Sequence, residues 1–298
     1  MHIRYIKCSK FYSFICAKGG KMLKGLYTAY TGMVQEQRRL DVLTNNLANA
    51  DTTGYKKEAM VTQAFDDMMS LRIKDTSSIF DANRTGYISL GAKVGETYTN
   101  WDMGNFKETG NDFDLAIGGN GFFAIAFTNK NGETSVKYTR DGSFTVNTEG
   151  YLVTTDGDYV LNQNGAMNAD PSEGNRIRVN PNLPFMVDEL GNVTQMPIQN
   201  GGNAVAQANV LGVVGLVDFE NYDYLEKYGE NLYDTIPGYQ AIAATGSINQ
   251  GYLEASNVNV VTEMVDMITI QRAYEAGQKV IQTMDSTLGI AATQVGKV

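Results

Sequence analysis

Histidine and cysteine are almost missing from this chain: among 298 residues, His2 is the only histidine and Cys8 and Cys16 are the only cysteines. These residue types furnish most zinc ligands, thiol nucleophiles and general bases, so metal-cluster, thiol and Ser–His chemistries have little to build on. No run approaches eighteen apolar residues, which excludes a helical membrane span. A concentrated basic surface is lacking too. The 33 acidic residues outweigh 24 basic ones, net −9, and binding to a phosphate backbone needs the opposite balance, so nucleic acid is not an expected partner. Proline is scarce, with 5 residues against 31 glycines, while 43% of the chain is hydrophobic and 19% charged. This is a globular composition biased towards strands and loops.

Charge is unevenly spread. Residues 1–21 hold Arg4, Lys7, Lys10, Lys18 and Lys21 and no acid; without these five, the remainder carries 19 basic against 33 acidic residues, net −14. A secretory signal would need an unbroken apolar core and a small-residue cleavage site, whereas the apolar stretch 11–17 is interrupted by Ser13 and runs into Lys18. A translational reading fits better: Lys18-Gly19-Gly20 can be encoded by a purine-rich run resembling a bacterial ribosome-binding site just upstream of Met22. The expectation is that 1–21 is a non-native upstream extension. A chain starting at Met22 contains neither cysteine nor histidine, which removes disulfides, thiol redox and metal clusters together.

From Leu23 the period is helical. Leu23, Leu26, Tyr30, Met33, Leu40 and Leu47, with Gln37 and Thr44 completing the rhythm, make a coiled-coil-like seam of about four heptads. The polar cluster 51–54 closes it, with Gly54 suited to positive φ. At the other end, Asn257 or Asn259 can cap a helix with Glu263 in its first turn. There Val260, Met264, Met267, Gln271, Tyr274, Gln278, Ile281 and Leu288 recur at the same spacing, and Val261, Val265 and Ile268 widen the apolar face. A lone amphipathic helix ordinarily packs on its own core, but matching helices at both termini favour mutual pairing.

Between them the period falls to two. Leu115 and Ile117, then Phe123, Ile125 and Phe127 alternate, and Asn131-Gly132, Asp141-Gly142, Glu149-Gly150 and Asp156-Gly157 are turn signals. They predict a meander of hairpins, with strands in 138–144, 146–153 and 158–161 and a central strand over the apolar run 210–217. The expected fold is α+β: N- and C-terminal helices forming a coiled-coil-like pair, with a central antiparallel β domain. Its divisions are an N-terminal assembly helix (22–54), an extended or partly helical connector (55–86), a β-rich domain (87–252) with long loops over 162–209, and a C-terminal assembly helix (253–298).

Several familiar sites fail on inspection. Gly119-Asn120-Gly121-Phe122-Phe123-Ala124 fits a dinucleotide-binding turn in letters, but a strand follows where the mechanism needs a helix N-terminus. Asp112, Asp114, Asp156 and Asp158 lack the D-x-D-x-D-G loop and distant Glu of a calcium site and read as turn carboxylates. Ser143 and Ser256 have no histidine to activate them in a chain that starts at Met22, which leaves only the rarer Ser–Lys chemistry. No catalytic residue, cofactor or metal is expected.

The two ends carry a resemblance. The run 40–49, containing Asn45-Asn46-Leu47-Ala48-Asn49, followed by Thr52-Thr53-Gly54-Tyr55-Lys56, resembles the N-terminal signature of the bacterial flagellar rod and hook proteins. Leu253-Glu254-Ala255-Ser256-Asn257-Val258-Asn259, continuing through Gln271-Arg272-Ala273-Tyr274 to Leu288, resembles the matching C-terminal signature. Segments 111–117 and 138–144 are also similar to rod proteins, so the likeness runs from Met22 to the C-terminus. The stretch between the helices has room for one modest β domain, which fits a rod subunit better than a hook subunit. The tail from Asp285 looks closer to the proximal-rod branch than to the distal-rod branch.

The resemblance implies a non-enzymatic subunit of the basal-body rod in the cell envelope, exported through the flagellar export apparatus without a cleaved signal. Its implied partners are further copies of itself and other flagellar rod and hook proteins. The residues expected at the assembly interface are Leu23, Leu26, Tyr30, Met33, Leu40 and Leu47 at one end and Val261, Met264, Ile268, Tyr274, Ile281 and Leu288 at the other. Repeated head-to-tail contacts that do not close give a helical filament. The competing reading is a β-rich extracellular glycan-binding or adhesion module on a helical stalk, which needs an exposed aromatic platform around Trp101, the sole tryptophan, or Tyr222 and Tyr224.

Overall fold

The 3–4 spacing at the two ends is realised as two long helices: in the computed structural model the helices are α1 (Met22–Ala48), α2 (Gln163–Asn168) and α3 (Val260–Ile290). The structure describes residues 22–72, 83–181, 183–195, 209–229, 231–236, 238–290 and 293. Residues 1–21, on which the expected upstream extension falls, lie outside that set, as does the tail beyond 290 apart from residue 293. The chain divides into two compact units, one from the described parts of Met1–Ala48, Glu58–Asn100 and Asn259–Val298, the other from Asn49–Lys57 and Trp101–Val258.

In the first unit α1 and α3 lie side by side and antiparallel. A Cβ placed on Gly25 would come 2.6 Å from the tip of Met284, and one on Gly277 would come 2.7 Å from Met33 Cγ, so the missing side chains set how closely the helices approach. Asn259 Oδ1 accepts from the N–H groups of Val261 and Thr262 at 3.1 and 3.2 Å, satisfying first-turn donors that the helix itself cannot. Strands β1 (Glu58–Ala64), β2 (Met68–Arg72), β3 (Asn83–Ile88) and β4 (Ala92–Thr99) complete the unit. β1 pairs antiparallel with β4, with a register shift between Met60 and Thr62, and β2 pairs antiparallel with β3. The described part of the expected connector over 55–86 is therefore largely strand, and the boundary expected at residue 87 falls inside β3. A two-stranded ribbon buries little on either face, so it carries no period-2 apolar signal.

The second unit is the antiparallel β region. Its strands are β5 (Phe106–Glu108), β6 (Leu115–Gly118), β7 (Phe122–Thr128), β8 (Thr134–Thr139), β9 (Phe144–Val146), β10 (Leu152–Thr154) and β11 (Tyr159–Val160). There follow β12 (Phe185–Val187), β13 (Asn192–Gln195), β14 (Asn209–Val213), β15 (Leu216–Asp218), β16 (Leu225–Tyr228), β17 (Leu232–Thr235), β18 (Ile242–Ala243), β19 (Ser247–Gln250) and β20 (Tyr252–Glu254). The main sheet runs β16-β17-β8-β7-β11-β10-β9, with β15 also on β7 and β18 on β15. β7 is covered on both faces. Phe123 enters a cluster with Leu115, Phe144, Leu152, Val193 and Ile248, while Phe122, Ala124 and Ala126 enter another with Tyr138, Leu161, Val217 and Tyr233. The apolar run 210–217, expected as one strand, is two: β14 joins β13, and β15 joins β7. The break falls at Gly215, where a Cβ would lie 2.7 Å from Leu161 O and 2.8 Å from Ala166 Cβ. The expected strand 138–144 likewise splits around the turn between β8 and β9. α2 arises in a region read as loop, its start capped by Asn162 Oδ1 accepting from Gly165 N at 2.8 Å.

Candidate functional site

Two constructions use the residues singled out in the sequence, one in each unit. In the helix unit, Leu26, Met33, Leu40 and Leu47 are half-buried on α1, while Tyr30 is 55% exposed; the side chain of Leu23 is outside the described set. On α3 the side turned to α1 carries Glu263, Ile270, Gly277 and Met284, with Met267 and Ile281 half-buried between them. The seam expected from Met264 and Gln271 is thus one position out. Val261, Met264 and Ile268 are exposed at 71%, 48% and 49%, and Leu288 is exposed as well, whereas Ile281 and Tyr274 lie on or beside the contact side. The apolar pattern of α3 is wide enough to hold two stripes, and periodicity alone picked the more hydrophobic one. The stripe actually used contains a buried carboxylate and a glycine.

That carboxylate is placed by Asn46, which is buried. Its Nδ2 donates to Glu263 Oε2 at 3.4 Å and to Glu58 O at 2.8 Å, and its Oδ1 accepts from Glu58 N at 2.9 Å. One amide side chain thus pairs with the backbone of β1 as a neighbouring strand would. Asn45 and Ala48 are exposed on α1. Gln271, Arg272 and Ala273 are exposed on α3.

In the β unit, the segment after α1 meets the segment before α3. Gly54 N donates to Glu254 O at 2.8 Å, and Lys57 N donates to Asn257 Oδ1 at 2.8 Å. Asn257 Nδ2 in turn donates to Asp102 O at 3.1 Å, Ser256 Oγ accepts from Val258 N at 3.3 Å, and Thr52 donates through N–H to Asn49 O at 3.3 Å. Gly54 sits at φ +68°, where a Cβ would lie 2.5 Å from the carbonyl carbon of Arg140, so both conformation and space require glycine there. Tyr55 is fully buried, with the Lys227 ammonium 4.2 Å above its ring.

Beneath this junction is a buried ionic group that the sequence reading quoted in part but did not recognise. Glu254 Oε1 accepts from Lys56 Nζ at 2.6 Å and from Gly104 N at 2.9 Å, while Oε2 accepts from Arg140 Nη1 at 3.2 Å. Lys56 and Glu254 are each 1% exposed and Arg140 4%. Lys56 Nζ also donates to Asp102 O at 2.8 Å. Burial pushes the lysine below its ordinary 10.5, with Glu254 pulling it back up and Arg140 pushing the same way as burial. The three residues come from three parts of the chain, each within a quoted motif; only folding makes them one cluster.

The features discounted as sites have the following surroundings. β7 follows Gly121 at once, and Ser143 Oγ donates to Asp141 Oδ1 at 2.9 Å. Burial lifts Asp158 above its usual range, opposed by a Thr128 backbone hydrogen bond and assisted by Asp156. Among the described residues no group of His, Cys, Asp and Glu could hold a metal ion. Trp101 is half-buried, and its ring packs 4.9 Å from Tyr233, 5.3 Å from Tyr222 and 5.4 Å from Phe122, so Trp101 and Tyr222, named for the glycan-binding alternative, pack on one another.

What this geometry defines is a structural subunit whose two chain ends are stitched together and whose terminal helices lie together. Comparison with known proteins agrees. Residues 26–56 match the family model for flagella basal body rod proteins, 116–205 the flagellar hook protein FlgE/F/G D1 domain, and 249–294 the flagellar basal body rod FlgEFG C-terminal region. The flagellar basal-body rod protein FlgG of Buchnera aphidicola subsp. Schizaphis graminum is 34% identical over 281 residues, covering 90% of this chain and 98% of that protein. FlgG of Bacillus subtilis is 34% identical over 278 residues, covering 90% and 97%, and the basal-body rod protein FlgF of Caulobacter vibrioides is 33% identical over 279, covering 93% and 100%. The chain belongs to the flagellar basal-body rod protein family. It is a structural subunit of the bacterial flagellar basal-body rod, of a family not known as enzymes.

Proposed function

We propose that α1 and α3 pair as a coiled coil and are the element through which copies of this chain polymerise into the helical rod that transmits torque to the hook. The observation that carries this reading is the apolar stripe left over after α3 has packed on α1: Val261, Val265 and Ile268, exposed at 71%, 54% and 49%. Stripes of that kind on a helix mark a further helix or subunit that covers them. Homo-oligomerisation, contacts with other rod and hook proteins, and passage through the flagellar export apparatus as an unfolded chain without a cleaved signal complete the proposal. The division into an assembly helix at each end and a β domain between follows the same logic.

The test compares two variants. Ile268→Asp changes an exposed residue, so the subunit should fold with unchanged thermal unfolding yet fail to enter rods or support swimming. Leu40→Asp places a charge in the seam between α1 and α3, where an unpaired buried charge costs several kcal/mol, roughly 3–5, and should loosen the helices as well as abolish assembly. Rods and motility at normal levels with Ile268→Asp would sink the proposal.

A further inference from the structure

We propose that the groove between α1 and α3 is a socket for Arg272 of a neighbouring copy of this chain. The inference rests on the helix-borne assembly proposed above and specifies one of its contacts. This open groove holds about 310 Å3 between Glu36, Gln37 and Leu40 of α1 and Ile270, Gln271, Tyr274 and Glu275 of α3. Ile270 is buried and Leu40 half-buried, so they form an apolar floor able to hold a methylene stem. Tyr274, 41% exposed, offers a ring face. The carboxylates of Glu36 and Glu275 flank it, and neither makes an ion pair among the described residues. The amide oxygens of Gln37 and Gln271 add acceptors. Two acids, an aromatic face, neutral acceptors and an apolar floor suit a planar, donor-rich cation on an aliphatic stem, which is the guanidinium of arginine.

The chain's own Arg272 cannot fill this groove. At about 100° per residue it lies roughly 200° around α3 from both Ile270 and Tyr274, on the back of the helix. There it continues the exposed stripe Val261, Val265 and Ile268, spaced by four, three and four residues. On the groove side of α1, Tyr27, Tyr30 and Val34 are exposed at 42%, 55% and 38% and lead into Gln37 with spacings of three, four and three. Placing the back of one α3 against the groove side of the next pair sets apolar stripe on apolar stripe and delivers Arg272 to the acids. Arg38 occupies the corresponding back of α1, but that face carries Thr31, whose hydroxyl lies 3.3 Å from Leu90 O and against Gly91. The strand ribbon already sits there. A back-to-front contact uses two different surfaces, so it repeats along a filament without closing.

The experiment measures association of the full chain by sedimentation and light scattering, in wild type, Arg272→Glu, the pair Glu36→Lys with Glu275→Lys, and the combination of all three. All substitutions are at exposed or half-buried positions, and circular dichroism with thermal unfolding checks that each variant folds. Arg272→Glu should raise the concentration for half-association about thirtyfold or more, as should the double lysine variant. The combined charge exchange should restore it to within about threefold of wild type. Ile268→Asp is measured alongside. If it blocks association while Arg272→Glu does not, the socket falls and the helix-borne assembly stands; if neither blocks it, the assembly reading itself falls. Weakening by Arg272→Glu that the exchange fails to rescue assigns the arginine another partner and overturns the socket.

Discussion

Replacing Glu254 by Gln removes the one carboxylate between two buried cations. Lys56 Nζ at 2.6 Å and Arg140 Nη1 at 3.2 Å would then face each other across a neutral amide, in a place where Lys56 and Arg140 are 1% and 4% exposed. Breaking a buried pair by deleting one partner costs about 3–5 kcal/mol, because an uncompensated charge stays behind. That is a large part of the roughly 5–15 kcal/mol by which domains are stable, and for a unit of this size it lowers the unfolding midpoint by roughly 6–20 °C. Lys56→Met should cost less, about 1–2 kcal/mol, since Glu254 keeps Arg140 and the Gly104 N–H at 2.9 Å.

The same cluster predicts a pH dependence. Burial holds Lys56 below 10.5 in the folded protein, so between the folded value and 10.5 the unfolded chain binds more protons. Stability therefore rises with pH through that window and levels off above it. Removing Glu254 removes the interaction that pulls the lysine upward, so the window extends to lower pH and the deficit of Glu254→Gln should shrink between neutral pH and about pH 9. Urea unfolding monitored by Trp101 fluorescence, at both pH values, reads all three numbers. A deficit for Glu254→Gln below about 1 kcal/mol, or a greater loss for Lys56→Met, would refute the reasoning.

Gly54→Ala should cost about 1–3 kcal/mol in the same unfolding assay, because an L residue is strained at φ +68° and its Cβ meets the Arg140 backbone at 2.5 Å; Gly110→Ala, also at φ +68° but with open space around it, should cost less. Gly277→Ala sets a gain in helix propensity of about 1 kcal/mol against a 2.7 Å approach to Met33 Cγ; the variant should be no more stable than wild type, and Gly277→Ala with Met33→Ala should lose less than the two single changes added. Limited proteolysis should release a resistant core that includes 49–57 and extends to 258, since Lys56 and Glu254 belong to it. A fragment limited to 87–252 leaves Arg140 without its carboxylate and should unfold at lower temperature. Asp158→Asn should leave stability at neutral pH equal or slightly raised, because burial disfavours its charged form, and its unfolding midpoint should lose the wild-type dependence on pH just above the usual carboxylate range.

Helices were legible wherever a single stripe had to be hidden. Leu26, Met33, Leu40 and Leu47 marked α1 to within its last residues, and of the two caps the sequence offered for α3, Asn257 and Asn259, it is Asn259 that bonds the first turn. Of the four expected turn glycines, those at 132, 150 and 157 take positive φ, while Gly142 does not. Alternation of Phe123, Ile125 and Phe127 located β7, although its burial runs unbroken from Phe122 to Ala126; the paired strands β1 and β4, which hide little of either face, gave no such signal. The family signatures at 40–56 and 253–259 were visible as letters, but their purpose was not.

Composition alone determined that the residues after 21 carry neither cysteine nor histidine, so thiol chemistry and the Cys/His ligand sets of zinc sites have no side chains there. Local spacing determined that long helices stand at its two ends, since an apolar repeat near 3.6 residues has only one regular solution. Which stripe of α3 meets α1 was decided by tertiary structure, through two glycines that admit close approach and an Asn46–Glu263 contact across more than two hundred positions of sequence. So was the joining of Lys56, Arg140 and Glu254. Opposite charges far apart in a chain attract weakly through water and ions; only a fold that first excludes water at one point makes those three the partners they are.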